Sequence, residues 1–389
     1  VNFFKYTGKN LLFRKTGNIL SLILIAVSVA ILWAVEEAKK QAESHLAGNL
    51  AEIDLVVGAK GSPLQLILSS VFHIDAPTGN ISYEEAGNLS RNRMIAAAVP
   101  VSMGDNYLGY RIVGTDPEFL SLYKARLASG SMWSREMEVC VGALAAEASG
   151  LKTGDTFTGA HGYDRGGDAH GSYVVAGIIE KTGTVLDQLI LTPLESVWKA
   201  HEGHGHAGEK EVTAVLIRYK MPVAAIQLPR YINENTSMQA AAPAIEINRL
   251  YHLLNMGGNT LAYFGFGLLL LAWLSILVSF LKSLEERRFE LALLRSYGAS
   301  AFKVLSFLMA EYVFLAFLGW LSGMAAGRLL LKLIGQSFDY GMAYRFDPFS
   351  LGYYDLLLLL LVVVASGVAV LIPSRKIFRI SIPDVLSGT

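Results

Sequence analysis

The sequence predicts a membrane protein: four transmembrane α-helices, with an extracytoplasmic α+β domain inserted between the first and second. Three observations predict it. Of 389 residues, 52% are hydrophobic and only 17% charged, whereas soluble domains carry about 25% charged residues. Four long stretches are almost free of charge, and each can cross a bilayer as a helix. A long acidic segment separates the first stretch from the other three: residues 36–258 hold 18 Lys+Arg and 25 Asp+Glu, against 15 and 8 in the remainder. This composition excludes an ordinary cytosolic enzyme and a disordered scaffold. No basic cluster is large enough for nucleic acid. The single Cys140 excludes an intramolecular disulfide framework and a cysteine-based zinc module.

A hydrocarbon layer about 30 Å thick takes ~20 helical residues at ~1.5 Å each. Thr16–Val35 offers 20 uncharged residues, Leu250–Leu281 offers 32, the segment between Lys303 and Arg328 offers 24 interrupted only by Glu311, and the segment between Asp355 and Arg375 offers 19. The expected boundaries are spans at 16–35, 259–281, 304–334 and 355–374. No small-residue cleavage site follows the first span, where Trp33 and Glu36 stand, so it is expected to be a retained anchor. Trp33, Trp273, Trp320 and Tyr263 suit interfacial or packing positions.

Lysine and arginine set the orientation. Lys5, Lys9, Arg14 and Lys15 precede span 1; Lys282, Arg287, Arg288, Arg295 and Lys303 lie between spans 2 and 3; Arg375, Lys376 and Arg379 follow span 4. Arg328 and Lys332 are expected to snorkel from the end of span 3. The positive-inside rule then places both termini and the loop 282–303 in the cytoplasm, with 36–258 and the short loop 335–354 outside. Residues 1–15, weakly amphipathic through Phe4, Leu11 and Leu12, suit a helix in the inner interface. Residues 375–389 form a cytoplasmic tail.

The insert is too long for a loop. Its start, Glu36–Leu50, reads as a helical continuation of span 1, and Ala244–Met256 reads as a helix returning to the membrane. Between them IDLVVGAKG reads as a strand, SPLQLILSSVF as a helix with Pro63 in its first turn, and AAAVPVSMGDNYLGYRIVGTD as a hairpin. EVCVGALAAEASGLKTGDTF reads as strand, helix, turn and strand; SYVVAGIIE, QLILTP and VTAVLIRY are β-rich. Mixed helices and strands give an α+β domain.

Between spans 2 and 3, Ser283 and Glu286 have the spacing of a capping box. Phe289, Leu293, Leu294 and Tyr297 recur at helical spacing, which gives a short helix a docking face, and Gly298 is a natural stop. Such a helix either docks a soluble partner or lies on the membrane surface with solvated charges.

The order of residues favours the first. ERRFELALLRSYGAS resembles the ERR-E-I-x-x-L-R-x-x-GAS signature of the MacB/FtsX-like permeases of ABC transporters. TGKNLLFRKTGNILSLILIAVSVAI is similar to their basic start and first span, EVCVGALAAEASGLKTGDTF to their extracytoplasmic core, and PSRKIFRISIPDVL to their C-terminal ending. The resemblance implies a permease of the bacterial inner membrane that works as a homodimer or related heterodimer, with two copies of a separate ABC ATPase and with a periplasmic partner possible. It implies that the loop between spans 2 and 3 carries the coupling helix seated in the ATPase, at positions matching Glu285, Arg287, Arg288, Glu290, Leu294, Arg295, Gly298 and Ala299. Phe289, Ser296 and Tyr297 depart from the family pattern. The implied mechanism is mechanotransmission, in which ATPase closure moves the coupling helices and the spans lever the outer domains. The chain carries no GxxxxGK[ST], so ATP and Mg are expected on another polypeptide, and no cofactor is expected in this one.

Other residues invite separate readings. Glu311 is costly in an apolar span, and a structural role near the cytoplasmic surface outweighs a proton relay. Gly319, Gly323 and Gly327 form a small-xxx-small face suited to close helix packing, with the dimer interface as one location. His201, His204 and His206, beside Glu202, have the chemistry of a zinc site on a glycine-rich loop; His161, Asp164, Asp168 and His170 form a second polar loop. Incidental histidines in a solvated loop are the competing reading. His45, His73 and His252 read as ordinary stalk or surface residues. The alternative to a transporter subunit is a membrane-anchored metal or peptide sensor or scaffold. A hydrolase is disfavoured, because neither GxSxG nor HExxH occurs.

Overall fold

The computed structural model describes residues 15–50, 52–160, 169–201, 210–337, 347–350 and 352–374. The chain forms two compact units. One holds the long apolar helices, through Lys40 and again from Leu254; the other runs from Gln41 to Leu253.

Among the described residues, four helices are long and apolar enough to cross a membrane. They are α1 (Lys15–Leu50), α8 (Pro243–Glu286), α10 (Ala301–Ser337) and α11 (Tyr353–Leu371), with α9 (Arg288–Ser296) between α8 and α10. Helices α1 and α8 run without a break past the expected span ends into the second unit. Ile25, Val29, Phe280, Leu308, Leu315 and Val362 are among the residues of one apolar core. Outside it, Phe264, Leu270, Leu356 and Leu360 are exposed, as lipid-facing positions require. Polar side chains tie helices together. Ser21 and Ser275 share a 2.8 Å hydrogen bond. Trp33, 1% exposed, donates its indole N–H to Asp355 at 2.8 Å. Arg328 does not snorkel freely: its guanidinium lies 3.4 Å from Asp355 and over the Trp33 ring. A buried carboxylate needs such partners, because an unsatisfied one costs several kcal/mol.

Among the described residues the strands of the outer unit form one large sheet and a second, two-stranded one. In chain order it contains β1 (Leu55–Ala59), α2 (Pro63–Ser70), β2 (Ile81–Ser82), α3 (Tyr83–Ser90), β3 (Ile95–Tyr107), β4 (Tyr110–Thr115), α4 (Glu118–Leu122), β5 (Leu127–Gly130), β6 (Glu138–Val141), α5 (Ala143–Ser149), β7 (Thr156–Ala160), β8 (Ala169–Ile179), β9 (Ile190–Thr192), α6 (Leu194–His201), β10 (Glu211–Val212), β11 (Ala214–Tyr219), α7 (Ala224–Asn235) and β12 (Met238–Ala241). Among the described residues the large sheet has the order β12-β1-β11-β3-β4-β9-β6-β8-β5, with β7 against β3 and β8. The β4–β9 and β6–β8 pairs are parallel and the rest antiparallel.

Local chemistry explains the elements. Ser62 caps α2 through the Gln65 N–H, with Pro63 at the first position. Gly150 ends α5 with φ +74, a conformation that costs other residues a Cβ clash. The central strands carry apolar residues at successive positions because both faces of the sheet are covered there. Leu55 and Val57 face one core with α7 residues Leu228 and Ile232; Val56 between them faces the other with Leu66 and Ile67. The foot of α1 joins the second core through Leu46, and α8 joins it through Ile247. Asn49, buried on α1, accepts the Val185 N–H at 2.6 Å. Tyr251 of α8 donates to the Glu43 carbonyl of α1 at 2.9 Å.

His73 corrects the expectation of a surface or stalk residue. It is buried at φ +54, and neither ring nitrogen has a partner among the described residues. Burial first, and the Arg111 charge second, hold its imidazole down to about 3.

Candidate functional site: the helix between the second and third spans

Helix α8 continues through Ser283, which is buried, to Glu286. The expected capping box therefore does not form. Extending α8 keeps Phe280 and Leu284 in the helical core, and the break falls one residue later, at Arg287 (φ −99°, ψ 10°). The Arg287 N–H still reaches the Ser283 carbonyl at 3.2 Å, and its own carbonyl accepts the Leu291 N–H at 2.9 Å. A single non-helical residue thus turns the chain.

Helix α9 sits on Leu291 and Ala292, its buried residues. Phe289, Leu293, Leu294 and Tyr297 are exposed, Tyr297 by 83%. The C-terminus closes as a Schellman motif. The Ala299 N–H donates to the Leu294 carbonyl at 3.1 Å and the Gly298 N–H to the Arg295 carbonyl at 3.0 Å, with Gly298 at φ +93. Ser300 then caps α10 by accepting the Lys303 N–H at 3.3 Å. The Gly-Ala-Ser order combines a stop and a start in three residues; Ser300 as the cap was readable from its place before an apolar run.

Of the other positions carried over by resemblance, Glu285, Arg288 and Glu290 are exposed; Arg295 and Ala299 are half-buried. Arg287 differs. Its guanidinium lies 3.2 Å from Glu311 of α10, and the two side chains are 13% and 6% exposed. Sequence reasoning left this pair unformed. The available signal was a lone acid in one apolar span and a basic pair shortly before it.

Gly319, Gly323 and Gly327 face α1 of the same chain. A Cβ on Gly323 would lie 2.6 Å from the Ala26 carbonyl oxygen, one on Gly319 2.7 Å from Ile25, and one on Gly327 3.0 Å from Trp33. What covers this face is the first helix of the same subunit, where a dimer contact had been one expectation.

His201 ends α6. His204 and His206 lie outside the described residues, as do His161, Asp164 and Asp168. Among the described residues no group of three His, Cys, Asp or Glu side chains could hold a metal ion, so a zinc site has no support. Cys140 is buried on β6, and burial pushes its thiol up to about 11.

A family model described as the MacB-like periplasmic core domain matches residues 18–235, and one described as the FtsX-like permease C-terminal matches residues 262–382. Two solved structures are similar. The periplasmic region of MacB from Actinobacillus actinomycetemcomitans has 10% identity and a TM-score of 0.36, covering 53% of this chain and 97% of its own. The extracellular domain of the noncanonic ABC-type transporter YknZ from Gram-positive bacteria has 12% identity and a TM-score of 0.32, covering 48% and 98%. No curated protein matches.

Proposed function

The chain belongs to the MacB/FtsX-like permeases of ABC transporters, and on that premise we propose that it couples ATP hydrolysis by a separate subunit to work done by its outer domain, as substrate export or as mechanotransmission. It is a non-catalytic, multi-pass membrane subunit, and its family implies an ATPase partner. Two ATPase copies and a second permease copy complete the assembly in this reading. Both termini and α9 face the cytoplasm, where Mg-ATP is available to the partner; the outer domain faces the periplasm.

One observation carries the proposal. Helix α9 is capped and seated, yet presents Phe289, Leu293, Leu294 and Tyr297 to solvent between two spans. Four large apolar side chains on nine to ten residues are an uncommon exposure for a helix without a partner. The flanking Glu290 and Arg295 supply charges that fix the register of docking. The continuity of α1 and α8 into the outer unit gives mechanical strain a covalent route. A differential of a few kcal/mol between two arrangements shifts their populations by one to two orders of magnitude.

The test is co-purification in detergent. The unmutated chain is expected to retain an ABC ATPase, and the double charge reversal Glu290→Arg with Arg295→Glu is expected to release it. Retention of the ATPase by the reversed variant refutes docking at α9; an unmutated chain that holds no ATPase returns the protein to the sensor or scaffold class.

A further inference from the structure

We propose that Arg287 and Glu311 form the joint through which movement of α9 is handed to α10, so that Arg287 is a positioning residue and not part of the surface offered to the ATPase. The proposal rests on the coupling role assigned to α9 above.

Three observations lead to it. First, the two adjacent arginines point to different environments: Arg288 is exposed, whereas the Arg287 side chain is 13% exposed and lies 3.2 Å from a carboxylate that is 6% exposed. A guanidinium so enclosed has little surface left for a soluble partner. Second, α9 has a small apolar seat, Leu291 and Ala292. Its C-terminal end is fixed by the Gly298 turn and the Ser300 cap. Its N-terminal end, after the break at Arg287, has the ion pair to hold it. Third, Glu311 sits ten residues into α10, roughly 15 Å along the helix at ~1.5 Å per residue. A charge at that depth is retained only with a partner, and removing one partner of a buried pair is far costlier than never having built it.

The pair therefore resists separation of α9 from α10. A push on the exposed face of α9 is carried into α10 at Glu311, two turns before Gly319. From Gly319 to Gly327, α10 packs against α1 with almost no free space, and α1 continues into the outer unit. The joint thus connects the cytoplasmic helix to span 1 through span 3, across 24 residues of sequence, in addition to the loop that joins them.

The experiment uses the full chain in lipid nanodiscs, with and without the ATPase with which it co-purifies. Arg287→Gln and Glu311→Gln are each expected to raise amide exchange across α9 by about tenfold or more, with no further increase in the double variant. The exchanged pair Arg287→Glu with Glu311→Arg is expected to restore protection, while Arg288→Gln leaves exchange in α9 unchanged and weakens ATPase retention. Equal exchange in the wild type and both single variants overturns the proposal. So does loss of ATPase retention in Arg287→Gln that Glu311→Gln does not share, because that places Arg287 on the partner. Exchange within α11 reports whether a variant has lost its fold, and the charge-exchanged variant then decides. If the wild type retains no ATPase, the coupling role falls while the exchange measurements still judge the joint.

Discussion

Replacing Gly323 by alanine tests how spans 1 and 3 are packed. The added Cβ would lie 2.6 Å from the Ala26 carbonyl oxygen and 2.7 Å from the Val29 Cβ. Neither atom is the end of a flexible side chain, so one helix backbone must move away from the other. Overpacking of this kind costs about 1–3 kcal/mol. Against it stands the gain of alanine over glycine within a helix, about 1 kcal/mol, which leaves a net loss of about 0–2 kcal/mol. Gly267 on α8 supplies the control. A Cβ there meets nothing within 4 Å, so Gly267→Ala keeps only the favourable term. Gly327→Ala, with its nearest contact at 3.0 Å, falls between the two. Equilibrium unfolding in mixed micelles, followed by tryptophan fluorescence, reads the order of stabilities, and cross-linking reads the dimer fraction separately. The reasoning is refuted if Gly323→Ala is as stable as Gly267→Ala. It is also refuted if the variant loses dimer while the subunit keeps its stability, because the glycine face would then meet a second copy.

Two further outcomes follow from buried polar groups. His73 stays neutral in the folded chain down to about 3, whereas an unfolded histidine takes up its proton near 6.5. Below that value the unfolded state binds the extra proton, so the stabilisation present above pH 6.5 is lost as pH falls toward 3, by at most about 1.4 kcal/mol per pH unit. Between pH 6.5 and 5, where ordinary carboxylates stay ionised, denaturant titration of the full chain is expected to show this slope. His73→Asn, which tolerates positive φ, is expected to flatten it; an unchanged slope assigns it elsewhere. Trp33→Phe removes the donor 2.8 Å from Asp355 and is expected to cost the helical unit about 1–3 kcal/mol, read as a lowered thermal midpoint. An unaltered midpoint would mean that Arg328 alone satisfies the carboxylate.

Much of this protein is written in local pattern. Four runs almost free of charge become four long helices because a bilayer-length apolar segment has no other way to satisfy its backbone. SPLQLILSSVF becomes a capped helix, Gly298 ends α9 at positive φ, and the run around Tyr107–Tyr110 becomes the β3–β4 hairpin. These depend on residues within a few positions of each other. The same local reading failed at Ser283, where the capping spacing was present but α8 gained more by continuing, and at His73, whose neighbours gave no sign that a buried core would close over it.

What the sequence by itself determined was therefore the four long apolar helices, several strands and helices of the insert between the first two, and the short helix that precedes the third. Only the tertiary structure decided the sheet order, the burial of Arg287 against Glu311, and the use of Gly319, Gly323 and Gly327 to bring α10 against α1. Helix and strand periods are set by short-range sterics and are legible along the chain. The partner of a buried charge, or of a bare glycine, is set by which surfaces meet after collapse, and residues as far apart as Trp33 and Asp355 carry no local mark of each other.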